Sequence, residues 1–346
     1  MSAIVAVKNI SARAIRRAAL QATQSRRALY YRVREAKSGA ALLRAAAFMR
    51  SPFVSRMRRR TAQDYVAHTQ PPVMEPAKGF GLTSVAAFEN LEAVLSTARA
   101  LFHQKKTEIE AELAAFATWD EGLQQTYLKR KDRFLRNLLN DDDLRGNPML
   151  VDFALSDAVL GMATRYLGSV PYLCRVDLVY SLPRPTADNM ASQLFHVDPE
   201  GVTQVKFFIH VYDVGESEGP FTFIPADETA RIVAEVRVLR RSQGKPHSGR
   251  YLDEEIDAVG GTSSIVRLQG PTGDGIAIDT SRCLHMGSRV RPGASRLCLY
   301  LQYCTDAEQT NVFDVDRYRS DPVRYLAVKH SVAPNAHRIS SSAQMA

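Results

Sequence analysis

The sequence predicts a mainly β protein with α-helices ahead of the strands, the strands forming a closed or sandwiched antiparallel fold. Three observations predict it. Apolar residues recur at intervals of three and four between 84 and 167, which is the helical period. After Pro171 the period falls to two, in at least seven short runs. Turn residues rather than helices separate most of those runs, as in a sandwich or barrel and unlike a parallel α/β sheet.

The 346 residues, 45% apolar and 24% charged, fit one large soluble domain or two small ones. Charge is uneven along them. Residues 1–60 hold fifteen Lys/Arg against one acid, Glu35, a net of +14, while the remainder holds 30 basic and 36 acidic residues, a net of −6. The formal +8 therefore describes a mildly acidic body behind a basic Ala/Arg-rich arm, and no nucleic-acid partner is expected. The apolar runs are broken by Arg or Lys, as in ALLRAAAFMR at 41–50, well before the roughly 18 residues a membrane span needs. No uncharged secretory h-region opens the chain. Cys174, Cys283, Cys298 and Cys304 show no C-x-x-C spacing, so reduced thiols in a cytoplasm-like compartment are expected.

In order, residues 1–75 read as the arm and a Pro-rich linker (TQPPVMEPAKGF, 69–80). Residues 76–170 read as a helical region. Phe88, Leu91, Val94, Leu95, Ala98, Leu101 and Phe102 form one stripe, with Thr83 or Ser84 as N-cap. Further helical stretches cover 108–118, about 124–140 and about 149–167, the last stopped by Gly168. Residues 171–310 read as the β core, with runs at 175–182, 192–198, 205–214, 219–225, 264–270, 275–279 and 296–304. An insertion at 227–262, helical from Asp227 to Arg240, interrupts the strands and is expected to shape a pocket. A C-terminal extension spans 311–346.

The residues that carry chemistry are His196, Asp198 and His285. Positions 196 and 198 of a strand point to one face, so an imidazole and a carboxylate there can grip one ion. His285 follows 87 positions later, past GDGIAID, where another strand end can deliver a third ligand. Two His and one carboxylate leave open positions on a metal, as in non-haem Fe(II) oxygenases. Alone, an H-x-D pair is weak, and a packed histidine is the ordinary reading. Arg296, eleven residues past His285 and after the turn RPGA, opens a strand where its guanidinium can hold a carboxylate by two parallel bonds.

These motifs in combination resemble the phytanoyl-CoA dioxygenase family of Fe(II)/2-oxoglutarate oxygenases. The likeness runs over about 171–305: HVD, then VKFFIHVYDVGESEGPFTFIP, then GDGIAID and HMGSRVRPGASR. It implies a double-stranded β-helix, a cupin-like jelly roll, with N-terminal helices packed on one sheet. It implies His196, Asp198 and His285 as iron ligands and Arg296 on the distal carboxylate of 2-oxoglutarate. It implies O2 as the other cosubstrate, ascorbate as a reductant, and hydroxylation of a small molecule with release of succinate and CO2 as the activity. Relatives that halogenate replace the carboxylate with a small residue, so Asp198 favours hydroxylation or desaturation. Many relatives carry Ser or Thr two residues after the distal His; here Gly287 stands there, with Ser288, Arg289 and Arg291 nearby.

On the run 204–212, Val205, Phe207, Ile209 and Val211 make an apolar face to pack on helices. Gln204, Lys206, Phe208, His210 and Tyr212 make the other, which lines the cavity or forms a solvated edge. Lys206 or His210 is then placed to contact 2-oxoglutarate or an anionic substrate, Phe208 to wall the cavity, and Tyr180 and Gln193 are further candidates. Cys283 shares the parity of His285 and reads as a core hydrophobe. For the arm, three readings stand: an interfacial segment on an anionic membrane, an organellar presequence that places a eukaryotic protein in a matrix, or a helical cover of the enzyme. Other functional classes are a non-catalytic jelly-roll binding protein and a protein or nucleic-acid hydroxylase tethered by the arm.

Overall fold

The computed structural model describes residues 52–116, 134–183, 189, 191–198, 203–246, 248–287, 289–305 and 310–329. The chain divides into two units, Met1–Pro52 and Phe53–Ala346. All but the last residue of the first, and with it nearly the whole basic arm, lies outside the described residues.

Nine strands make two antiparallel sheets among the described residues: β1 Phe80–Thr83, β2 Leu135–Asn137, β3 Tyr172–Ser181, β4 Gln204–His210, β5 Phe221–Ile224, β6 Val266–Leu268, β7 Gly275–Ile278, β8 Leu284–Met286 and β9 Arg296–Cys304. The large sheet has the order β1-β7-β4-β9-β3-β2 and the small one β6-β5-β8. Beside β8 the small sheet gains a fourth member through the single bridge His196↔His285. From β3 onward the chain passes repeatedly from one sheet to the other: β3 large, 195–196 small, β4 large, β5 and β6 small, β7 large, β8 small, β9 large. The central four of each sheet are then β7-β4-β9-β3 and β6-β5-β8-(195–196). This winding is the double-stranded β-helix, a jelly roll.

Alternation in the strands sorts side chains into layers. Val205, Phe207 and Ile209 of β4 are each 0% exposed and pack with Leu297, Leu299 and Leu301 of β9 against the helices. Each such burial is worth roughly 1.5–3 kcal/mol over exposure. The helices are α1 Pro52–Thr69, α2 Leu91–Phe116, α3 Asp141–Gly146, α4 Pro148–Ala154 and α5 Asp157–Leu167. The opposite face of the large sheet, with Phe208, Ile276 and Ile278, meets Phe221 and Phe223 of the small sheet. Outside the small sheet, Phe195, Ile224, Leu284 and Met286 are covered by Ile232 and Val236 of α6 Ala226–Ser242 and by Ile256 of α7 Asp253–Asp257. The insertion thus lies on the outer side of the small sheet, and its Tyr251 reaches the rim by pairing with Phe195. A short helix, α8 Pro322–Val328, ends the described chain.

Several elements differ from the sequence expectation. The stretches at 84–103 and 108–118 form one helix, α2, because no breaker separates them; a 3-10 turn at Val85–Ala87 precedes it. The stretch 149–167 is two helices, the second capped by Ser156, whose side chain accepts from Val159 N, and ended by Gly168 at φ 64. Of 124–140, residues 124–133 lie outside the described residues, and Leu135–Asn137 pair with β3 as a strand. The 69–80 segment is more than a spacer. Met74 is buried, and Phe80–Thr83 pair with β7, the Phe80 ring meeting Phe223 at 4.9 Å. Run 192–198 is a 3-10 turn, Ala191–Gln193, followed by isolated bridges.

No helix among the described residues is long and apolar enough to cross a membrane. The four cysteines are buried and form no disulfide. Arg58, the one buried cation of the 56–60 cluster, faces the body. Its Nε donates to Val170 O and Nη2 to Leu326 O, both at 2.9 Å, and its guanidinium lies 3.6 Å from the centre of the Tyr172 ring. Arg58→Ala leaves two carbonyls without their charged donor. The expected loss in urea unfolding is about 2–3 kcal/mol, since bonds to charged groups contribute about 1.5–3 kcal/mol. Arg58→Lys should recover less than half, lacking the planar fork. A change under about 0.5 kcal/mol, the size of an ordinary surface substitution, would remove the anchoring role. A truncation to residue 60 therefore cuts into the body.

Candidate metal centre

Strand β8 and the 195–196 bridge beside it bring the candidate ligands together. The main chains of His196 and His285 exchange both hydrogen bonds, 2.9 and 2.8 Å, which sets their rings side by side with centroids 4.4 Å apart. Asp198 follows two residues on, its N–H held by Thr280 O at 2.8 Å. The ligand atoms of His196, Asp198 and His285 all lie within 4.8 Å of one another. His196 Nε2 is 3.6 Å from Asp198 Oδ1, and His285 Nε2 is 3.4 Å from Oδ2. All three residues are buried.

Backbone carbonyls orient both rings. His196 Nδ1 donates to Leu194 O at 2.8 Å and His285 Nδ1 to Cys283 O at 3.0 Å. A carbonyl only accepts, so Nδ1 carries the proton, and in the neutral ring Nε2 turns its lone pair to the cluster. That is the support a metal-binding imidazole requires. Burial, then the neighbouring His285, push the pKa of His196 down to about 2. Burial alone would raise that of Asp198, but Lys206, then His285, outweigh it and hold the carboxyl well below its usual range. Lys206 Nζ, on the inward face of β4, sits 2.7 Å from Asp198 Oδ2.

Arg296 opens β9 on the same inward face and is 7% exposed. Its Nη1 donates to Gly219 O, and its Nε has no partner. No carboxylate among the described residues pairs with it. Gly219 is at φ +63, and a Cβ there would lie 2.5 Å from the Arg289 backbone, so only glycine lets this carbonyl turn to Arg296. Burial lowers the pKa of the guanidinium. His210, on the neighbouring strand β4 opposite Cys298, has its pKa pushed down to about 4 by burial and then by Arg296, and its Nδ1 is unpartnered. A buried guanidinium without an anion fits a carboxylate ligand.

The other candidates separate. Phe208 stacks on Phe221 at 4.4 Å, and Phe221 in turn on His285 at 5.5 Å. Lys206 and Phe208 thus both face the cluster. Tyr180 does not. It pairs with Leu297 across β3 and β9, and its ring meets Phe102 of α2 at 4.8 Å, on the helix side of the large sheet. Its place among the cofactor contacts is therefore corrected. Gln193 sits in the 3-10 turn, where its carbonyl takes Arg289 Nε and Nη2. Arg289 also binds Asp253 and Arg291 binds Glu216, so neither is directed at Arg296. At Gly287 a Cβ would lie 3.4 Å from Arg296 Nη2, so this position packs the guanidinium rather than adding a hydroxyl. Ser288 lies outside the described residues. Cys283 joins the apolar cluster between the sheets, as its composition suggests. The sequence reading passed over Tyr300, whose ring lies 5.4 Å from Phe208 and 5.8 Å from Lys206 Nζ. Its parity with Arg296 on β9 was the available signal.

Fold and site together define a jelly-roll protein with a buried two-histidine, one-carboxylate cluster and a buried arginine that has no counter-ion among the described residues. No protein-family model matches the chain, and no curated protein matches it. Among solved structures it is similar to EctD from S. alaskensis with bound Fe (TM-score 0.39, 16% identity, 66% of this chain and 73% of that one). It is also similar to AviO1 from Streptomyces viridochromogenes Tue57 (0.39, 15%, 71% and 94%) and to HygX from Streptomyces hygroscopicus with nickel and 2-oxoglutarate bound (0.38, 12%, 66% and 83%). At this similarity the fold stands on strand order and the chemistry on the site's own residues.

Proposed function

We propose that the chain is an Fe(II)/2-oxoglutarate-dependent oxygenase that hydroxylates a small molecule, releasing succinate and CO2. The observation that carries this reading is the pairing of the buried His196–Asp198–His285 cluster with Arg296, a buried guanidinium that lacks a carboxylate. His196, Asp198 and His285 would hold the ion through two imidazoles and one carboxylate, a ligand set that leaves room for cosubstrates. Iron with 2-oxoglutarate and O2 supplies the C–H oxidation that no side chain performs. Arg296 takes the distal carboxylate, with His210 beside it. Lys206 keeps Asp198 ionised and aligned. Phe208, Phe221 and Tyr300 exclude water from the space around the cluster. The likeness of HVD, GPFTFIP and HMGSRVRPGASR to phytanoyl-CoA dioxygenases supports the same reading. Asp198 supports hydroxylation or desaturation over halogenation.

Purified full-length chain with Fe(II), ascorbate and 2-oxoglutarate should form succinate slowly without substrate and faster with a substrate found by screening. A chelator should abolish both. If iron-loaded protein neither binds 2-oxoglutarate nor forms succinate, the non-catalytic binding-protein reading replaces this one.

A further inference from the structure

We infer that Asp279 is the positioning residue of the metal centre, acting through the 279–283 turn that holds both Asp198 and His285; this rests on the metal-binding reading above. Asp279 ends β7's run and is 0% exposed. The turn it starts supplies two carbonyls to the centre. Thr280 O takes the Asp198 N–H at 2.8 Å, and Cys283 O takes His285 Nδ1 at 3.0 Å. The first fixes where the carboxylate leaves the backbone, and the second fixes the tautomer and ring angle of the imidazole. Both carbonyls point correctly only if the turn is rigid.

The Asp279 carboxylate makes it rigid from inside. Oδ1 accepts from Ser281 N at 3.0 Å and from Ser281 Oγ, while Oδ2 accepts from Tyr166 OH of α5 at 3.0 Å. The Asp279 carbonyl closes the turn by accepting from Arg282 N at 3.0 Å and Cys283 N at 2.9 Å. Arg282 completes the brace: Nη1 donates to Tyr166 OH and to Pro76 O, each at 2.8 Å. Asp279 N donates to Gly79 O at 2.8 Å. So a helix, the 76–79 segment and the turn converge on one buried carboxylate. All three side-chain bonds run into carboxylate oxygens, which accept and never donate. An asparagine presents a donor NH2 where one of those oxygens stood, so Asp279→Asn loses at least one bond at nearly constant volume.

The test uses Co(II) as probe on the full chain, without substrate. Asp279→Asn should weaken Co(II) binding about tenfold or more, the range seen when a group behind a ligand is removed. It should also change the visible spectrum of bound Co(II), because the angles of Asp198 and His285 shift. Tyr166→Phe should move both readouts the same way by less. Unchanged affinity and spectrum in Asp279→Asn, even with a lowered melting temperature, would reduce Asp279 to a structural turn residue and overturn the inference. If Asp279→Asn does not fold, Tyr166→Phe decides by the same two readouts. Wild type and His285→Ala separate the two levels. Wild type that binds no Co(II) removes the metal reading and this inference with it. Binding by wild type and Asp279→Asn alike, but not by His285→Ala, removes this inference alone.

Discussion

His196→Ala and His285→Ala should each abolish tight Fe(II) binding and bring succinate formation to background. Three protein side chains reach the centre among the described residues, so either change removes one of three ligands. Losing a group that merely supports a ligand already costs about 10–100-fold in metal affinity, and losing the ligand should exceed that. The fold should survive. The bridge between 196 and 285 is made by main chain, which alanine keeps, and the Lys206–Asp198 pair remains intact. Asp198→Ala is a poorer probe. It removes the carboxylate from the buried Lys206 ammonium, and breaking a buried ion pair from one side costs about 3–5 kcal/mol. Metal content by elemental analysis and circular dichroism on the same samples check this. Stoichiometric iron in folded His285→Ala would end the assignment of this residue as a ligand.

Much of this centre was legible in the sequence because its logic is local. Asp198 stands two residues from His196, close enough along an extended chain for both side chains to reach one ion, and the Thr280 carbonyl holds it there. The alternation at 204–210 separates Lys206 and Phe208 from Val205, Phe207 and Ile209, but leaves open whether the first pair lines a cavity or a solvated edge. Tyr180 shows where local logic stops. Parity tells which of its neighbours share its face, but which face looks inward depends on register. Only the pairing of Ser181 with Arg296 and of Tyr180 with Leu297 settles that. Strands β1, β2 and β8 have three or four residues each, too few for a period to emerge. The break at Ser156 was hidden because apolar residues continue at helical spacing on both sides of it. The carbonyls of Leu194, Thr280 and Cys283 that orient the ligands are invisible to any reading of side chains. Asp279 lay inside a quoted motif, yet its role depends on Tyr166, 113 residues away.

Arg296→Ala should raise the 2-oxoglutarate dissociation constant by roughly 30-fold or more while leaving Co(II) affinity near wild type. Truncating one partner of a buried charge pair costs about 2–5 kcal/mol, and each 1.4 kcal/mol is tenfold. Arg296→Lys should fall between, keeping the charge without the fork. A weakening of no more than about twofold, some 0.4 kcal/mol, would move the carboxylate to another cation, with Lys206 the candidate on the inward face. A second, opposite effect separates ligand binding from structure. Without an anion, Arg296 is a buried charge whose Nε has no partner and whose pKa burial lowers, so the free protein carries an uncompensated cost. Replacing it by an apolar side chain of similar length removes that cost and frees only the Gly219 carbonyl. Arg296→Met should therefore unfold at equal or higher urea than wild type when no 2-oxoglutarate is present, because exchanging buried charge for packed hydrophobe is often neutral or stabilising by about 1–4 kcal/mol. Saturating 2-oxoglutarate and metal should then stabilise wild type by about 2 kcal/mol more than Arg296→Met, the 30-fold difference in affinity. A residue kept for the fold alone behaves otherwise: Arg296→Met would lose stability in the free protein, and 2-oxoglutarate would protect both chains alike.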